Sequence, residues 1–93
     1  MYIFEWDEGK NLLNKRKHGI SFEIAKKVFS DPKRYEEFDF IHSSTEERWH
    51  TIGLVGWKLL SVVFTERKGI IRLISARQAN TKEQEEYFYG NGL

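Results

Sequence analysis

The spacing of apolar positions changes along this chain and divides it into elements. Tyr2 to Trp6 alternates weakly, which predicts a short strand. Asp7 is a good helix N-cap, and the helix it opens should reach Lys17 or His18, where Gly19 fits the left-handed position that ends it. Ser21 caps a second helix, with Phe22, Ala25, Val28 and Phe29 recurring on one face. Pro32 disfavours helix at Asp31 and stops it. Tyr35 to Phe38 reads as a short strand and Ile41 to Glu46 as a polar loop. From Glu47 the period becomes two: Glu47 to Val55, Lys58 to Glu66 and Ile70 to Ala76 are strands joined by Gly56-Trp57 and Lys68-Gly69, pairs suited to tight hairpins. A polar helix from about Asn80 to Tyr89 follows, capped by Asn80 or Thr81, and Gly90 to Leu93 should fray.

The order is β-α-α-β-β-β-β-α, an α+β domain spanning residues 1–93 with an antiparallel meander and helices packed on it. Two-residue hairpin loops place Val55 opposite Lys58 and Arg67 opposite Ile70. Counting back puts Arg48 opposite Thr65, and Thr65 opposite Arg72, so these three form a row on one face. His50 and Arg67 lie two residues along on the same face. Trp49, Leu60, Val62, Phe64, Ile71 and Leu73 collect on the other, the natural seat for the helices. Arg77 has the wrong parity for the polar row. A bulge, for which Gly53 is the candidate, would change the register.

At 93 residues, with 15% aromatics and no cysteine, the chain suits a packed core without disulfides in a reducing cytoplasm. Its start lacks the basic and apolar regions of a signal peptide, and no apolar run approaches the ~20 residues of a membrane span. A net charge of +1 conceals segregation: residues 10–34 carry eight Lys/Arg against two acids, residues 36–47 five acids and no Lys/Arg, and residues 48–77 six Lys/Arg against Glu66 alone. Most lysines at 15–34 read as a solvated face. Like charges gathered on a sheet cost stability unless an anion joins them. For single arginines that anion can be Glu46, Glu47, Glu66 or the acidic last helix; for the group, arginine forks beside a threonine hydroxyl match phosphate. Lys10 stands where a capping box would place Glu or Gln, so this cation near a helix start looks for Asp7, Glu8 or a phosphate. His18 suits a helix C-terminus, His42 a solvated loop, and His50 proton transfer on the arginine face. The sequence shows no metal-ligand motif, no glycine-rich phosphate loop and no nucleophile elbow, so neither metal nor cofactor is expected.

Trp6-Asp7, Lys10, Asn14, Lys17-His18-Gly19, Ser21-Phe22, Glu47-Arg48, Ile52-Gly53, Thr65-x-Arg67 and Ile71-Arg-x-Ile-Ser-Ala-Arg77 with Glu83 or Glu86 beyond form an ordered set that resembles the BrnT family of small bacterial toxins, from Phe4 to about Glu86. The resemblance implies a RelE-like fold, a twisted antiparallel sheet with two N-terminal helices on one face, and a C-terminal helix. It implies a cytoplasmic endoribonuclease that cuts mRNA and arrests translation, silenced by a ribbon-helix-helix antitoxin (BrnA-like) with two toxins per antitoxin dimer. Matched to the motif, catalytic positions fall on Lys10, Thr65, Arg67 and Arg77; Arg48, Arg72, His50 and Glu47 are the RNA- or phosphate-binding candidates. A metal-free cut needs a base for the 2′-hydroxyl, and His50, Glu47 and Lys10 all qualify. The competing readings are a non-catalytic nucleic-acid module, with Trp57 stacking bases, and a protein-interaction domain whose arginines form salt bridges.

Overall fold

The computed structural model describes residues 2–41 and 46–90. Its elements are β1 (Ile3–Glu5), α1 (Glu8–His18), α2 (Phe22–Ala25) tightening into a 3₁₀ turn over Lys26–Ser30, β2 (Tyr35–Phe38), β3 (Trp49–Val55), β4 (Lys58–Arg67), β5 (Ile70–Gln78) and α3 (Thr81–Gly90). This is the expected order. His42, most of the polar loop and positions 91–93 of the expected frayed tail lie outside the described residues. The caps are those the sequence specifies: the Asp7 carboxylate accepts the Lys10 backbone N–H at 3.0 Å and the Ser21 hydroxyl accepts that of Ile24 at 3.2 Å. Gly19 ends α1 at φ 72, where a side chain would be strained. No helix among the described residues is long and apolar enough to cross a membrane.

The sheet order is β1-β5-β4-β3-β2. Strands β2 to β5 form the expected antiparallel meander, but β1 pairs with β5 in parallel, Phe4 opposite Ile71, so the sheet is mixed. That direction delivers the chain straight to the face where Trp6 meets Phe22 edge-on at 6.1 Å. The short β1 reaches only Ile70 to Arg72, and further along β5 a side chain from α1 takes the place of a strand. Asn14 Oδ1 accepts the Ala76 N–H at 3.1 Å, while its Nδ2 donates to the carbonyls of Ala76 and Ile20, both at 2.8 Å. Asn11 locks the next turn by accepting the Phe22 N–H at 2.7 Å. Both asparagines are buried and satisfied, the usual condition for burying amides.

The helices seat on the apolar face as the periodicity requires. Phe22, Ala25, Val28 and Phe29 pack with Leu60, Val62, Phe64, Ile71, Leu73 and Ala76 in one cluster, flanked by Phe4, Trp6, Trp49 and Val55. Gly53 lets the 3₁₀ turn come close, since a Cβ there would lie 3.1 Å from both the Val28 side chain and its carbonyl.

Both hairpins close with two-residue loops, Val55 facing Lys58 and Arg67 facing Ile70, and Thr65 pairs with Arg72. The register then slips once, although not at Gly53. Phe64 pairs with Leu73 but Val63 with Ser75, leaving Ile74 as an extra residue in β5. That bulge reverses the parity of everything after it. Arg77 therefore faces Ser61 and shares the polar side with His50, correcting the expectation that it points the other way.

Helix α3 covers one end of this polar face. Its Glu83 reaches Ser61 on β4, and its Tyr87 hydroxyl donates to Asp31 at 2.6 Å. Asp31 also accepts the Leu54 N–H at 2.9 Å, tying the 3₁₀ turn, β3 and α3 together. Burial works to raise the Asp31 carboxyl, but the N–H groups of Leu54 and Lys33 and the Tyr87 hydroxyl outweigh it and hold it below its usual range. Burial, and then that same bond, push Tyr87 up to about 12.

Candidate functional site

The polar face carries two neighbouring clefts. The first, of about 540 Å³, lies between β2 and β5 and is lined by Glu37, Phe38, Phe40, Arg48, His50, Ser75 and Arg77, among others. Its size suits a small polar ligand or one unit of a polymer. The second is lined by Glu5, Glu46, Glu47, Thr65, Glu66, Arg67, Ile70 and Arg72. Arg48 lines the first cleft and Thr65 the second, and the residues next to them in sequence, Trp49 and Phe64, are paired in the sheet.

Against Arg77 and His50, which line the first cleft, sits Glu83, only 5% exposed although it carries a carboxylate. Oε1 accepts from Arg77 at 2.7 Å and from the Asn80 backbone N–H at 2.9 Å. Oε2 accepts from the other arm of Arg77 at 2.8 Å and from the Ser61 hydroxyl at 3.1 Å, and lies 3.2 Å from His50 Nε2. Burial alone would raise this carboxyl. The Arg77 bonds, the Asn80 N–H and the Ser61 hydroxyl overcome it and hold Glu83 below the usual carboxylate range. The Arg77 guanidinium is in turn held above its ordinary value, first by its hydrogen bonds to Glu83. His50 Nε2 also contacts the Ser61 hydroxyl, and Nδ1 lies 3.4 Å from Glu37 Oε1 at the cleft wall.

Seven of the eight candidates named from the sequence thus divide between the two clefts: Arg48, His50 and Arg77 in the first, Glu47, Thr65, Arg67 and Arg72 in the second. Lys10 stands apart on the first turn of α1, exposed and lining neither. Arg77 finds its acid in the last helix, as the salt-bridge alternative allows, whereas Arg72 lies 3.5 Å from Glu5. Arg67 makes no ion pair or side-chain hydrogen bond among the described residues. Trp57 is 85% exposed at the β3–β4 turn, in a separate groove with Leu54 and Phe88.

Sequence reasoning gave no role to Ser61, Glu37 or Phe40, and it placed Glu83 only as an alternative to Glu86 in the family pattern and within an acidic helix able to pair an arginine. A signal for Glu83 was present. Asn80 and Glu83 form a reciprocal capping box, the Glu83 N–H donating to Asn80 Oδ1 at 2.8 Å, and that pattern begins three residues after Arg77. Ser61 had no such signal, because only pairing with β5 brings it to Arg77.

The chain matches one family model over residues 6–83, that of the ribonuclease toxin, BrnT, of type II toxin-antitoxin systems. No curated protein matches it.

Proposed function

The chain belongs to the BrnT family of ribonuclease toxins of type II toxin-antitoxin systems, and on that premise we propose that it cleaves RNA in the first cleft of the polar sheet face. The observation that carries this reading is the convergence of Arg48, just before β3, His50 on β3 and Arg77 on β5 on one open cleft, on the side of the sheet opposite the two N-terminal helices. RNA carries its own nucleophile. The 2′-oxygen attacks the adjacent phosphorus, the bond to the 5′-oxygen breaks, and a 2′,3′-cyclic phosphate is left. The protein must hold the phosphate and stabilise the charge that grows on its oxygens, which guanidinium forks do well. Arg48 and Arg77 serve there. Thr65, Arg67 and Arg72 in the second cleft bind neighbouring phosphates, and no step is assigned to Lys10. The target is mRNA, so cutting it halts translation, and a ribbon-helix-helix antitoxin silences the enzyme.

Purified protein incubated with RNA in excess EDTA tests this. Cleavage should persist and end in a 2′,3′-cyclic phosphate or 3′-phosphate, and RNA methylated at every 2′-oxygen should stay whole. Loss of cleavage in EDTA with recovery in magnesium would replace this mechanism with a metal-assisted one.

A further inference from the structure

Proton transfer is the step the cations leave open. Of the three groups the sequence offers to take the 2′-hydroxyl proton, Glu47 lines the other cleft and Lys10 lines neither, whereas His50 shares a cleft with Arg48 and Arg77, beside the carboxylates of Glu37 and Asp39. Its surroundings are asymmetric. Nε2 is held by Ser61 and by Glu83, whose side chain is 7% exposed; Nδ1 faces Glu37, a cleft-lining residue whose side chain is 43% exposed. Glu83 cannot turn away, because each of its oxygens is fixed by an arm of Arg77, and Asn80 and Ser61 bind it as well. A buried, immobilised carboxylate behind one ring nitrogen, with the other toward a cleft, fixes the orientation of an imidazole for base catalysis.

We propose that His50 is the general base of the cut and Glu83 the positioning residue that holds it, so that one carboxylate orients both the proton acceptor and the phosphate-binding Arg77. This rests on the ribonuclease reading. In the step, the substrate 2′-hydroxyl displaces the Glu37 carboxylate and gives its proton to His50 Nδ1. The 2′-oxygen forms its bond to phosphorus as the bond to the 5′-oxygen breaks, and the leaving 5′-oxygen takes a proton from water. The resulting imidazolium is stabilised on its Nε2 side by Glu83 and later returns its proton to solvent.

The experiment uses the full chain and a short RNA, with circular dichroism to verify folding. His50→Gln should lower kcat by about 10²–10⁴-fold, the usual weight of acid–base catalysis, with KM changed less than about threefold. Added imidazole should restore part of the activity of His50→Ala. Glu83→Gln should lower kcat and loosen binding together, and Glu83→Asp should recover part of both. Ring-nitrogen NMR of the wild-type protein gives a test free of folding effects: an RNA fragment ending in a free 2′-hydroxyl and a 3′-phosphate should shift His50 Nδ1 and leave Nε2 in place. A histidine serving only to pack the sheet predicts lowered stability, full activity in the folded fraction, no imidazole rescue and no Nδ1 shift; any folded His50→Gln that cuts at the wild-type rate overturns the dyad. Should wild-type protein cut no RNA at all, the ribonuclease reading falls first and the dyad with it.

Discussion

Arg77 is forked onto Glu83 by bonds of 2.7 and 2.8 Å, so a cation of the sheet takes its place from a helix that begins three residues after its strand ends. Cleft and C-terminal helix are therefore one unit. Loosening α3 should release Arg77 and His50 together, so under the proposed mechanism the helix would affect the cut although it supplies no group to the substrate.

The protein should lose stability in acid, and Glu83 should account for part of the loss. Its folded-state carboxyl titrates below the usual carboxylate range, so the stability it contributes is present above the unfolded pKa and disappears as pH falls through the folded one. Asp31, also held below its ordinary range, acts in the same direction. A thermal midpoint that is flat from neutral pH to about 5.5 and falls below about 4.5 is expected. In Glu83→Gln the fall should be shallower from a lower plateau, and scanning calorimetry across this range checks both.

Asn14→Ala should be among the most damaging single changes outside the apolar core. It strands the Ala76 N–H and C=O and the Ile20 C=O, all now served by one amide. Buried groups left unpaired cost about 1–3 kcal/mol each, and partial relaxation brings the expected loss to about 2–4 kcal/mol. For a chain of this size that is roughly 10–20 °C in thermal midpoint. Asn14→Asp keeps one acceptor and loses both donors, so it should be no better. An unchanged midpoint would mean the edge of β5 does not depend on this residue.

Arg67→Ala should relieve growth arrest on expression while the midpoint moves little. The residue is exposed beside Thr65 and forms no ion pair among the described residues, and surface changes of this kind shift stability by about 0.5 kcal/mol or less. RNA affinity should fall by roughly tenfold, as expected for one lost charge-assisted contact. Full cleavage by folded Arg67→Ala would remove the second cleft from RNA binding.

A silencing partner should cover the polar face by presenting acids to Arg48, Arg67 and Arg72, because complementary charge speeds association and excludes RNA from the same surface. The association rate should drop as salt rises while the complex persists near physiological ionic strength through its apolar contacts. Arginine modification followed by mass spectrometry should show protection of Arg67 and Arg72 in the complex. A complex that still cuts free RNA at the rate of the toxin alone would mean that silencing acts by another route.

Most of the fold was legible because its signals are local. Asp7, Ser21, Gly19 and Pro32 mark helix ends by their own chemistry, and the two hairpin dipeptides set the register that puts Thr65 opposite Arg72. What was not legible depends on distant pairing. Nothing near Tyr2 to Trp6 says that this strand runs parallel to β5, and nothing near Asn14 says that it will serve Ala76, sixty-two residues on. The site divided in the same way. Arg48, Thr65 and Arg72 followed from alternation, whereas the Glu83 contacts needed α3 to fold back over the sheet.

The extra residue at Ile74 makes the geometry of β5 a matter of odd and even numbers. Arg72 and Arg77 are five apart, a spacing that points them to opposite sides of a regular strand, yet here both look out on the same side. One added or lost codon between them would invert this relation without altering either arginine. A search for outward cations that counts in twos would discard Arg77, so the spacing from Leu73 to Ser75 carries as much of the site's information as the charged residues around it.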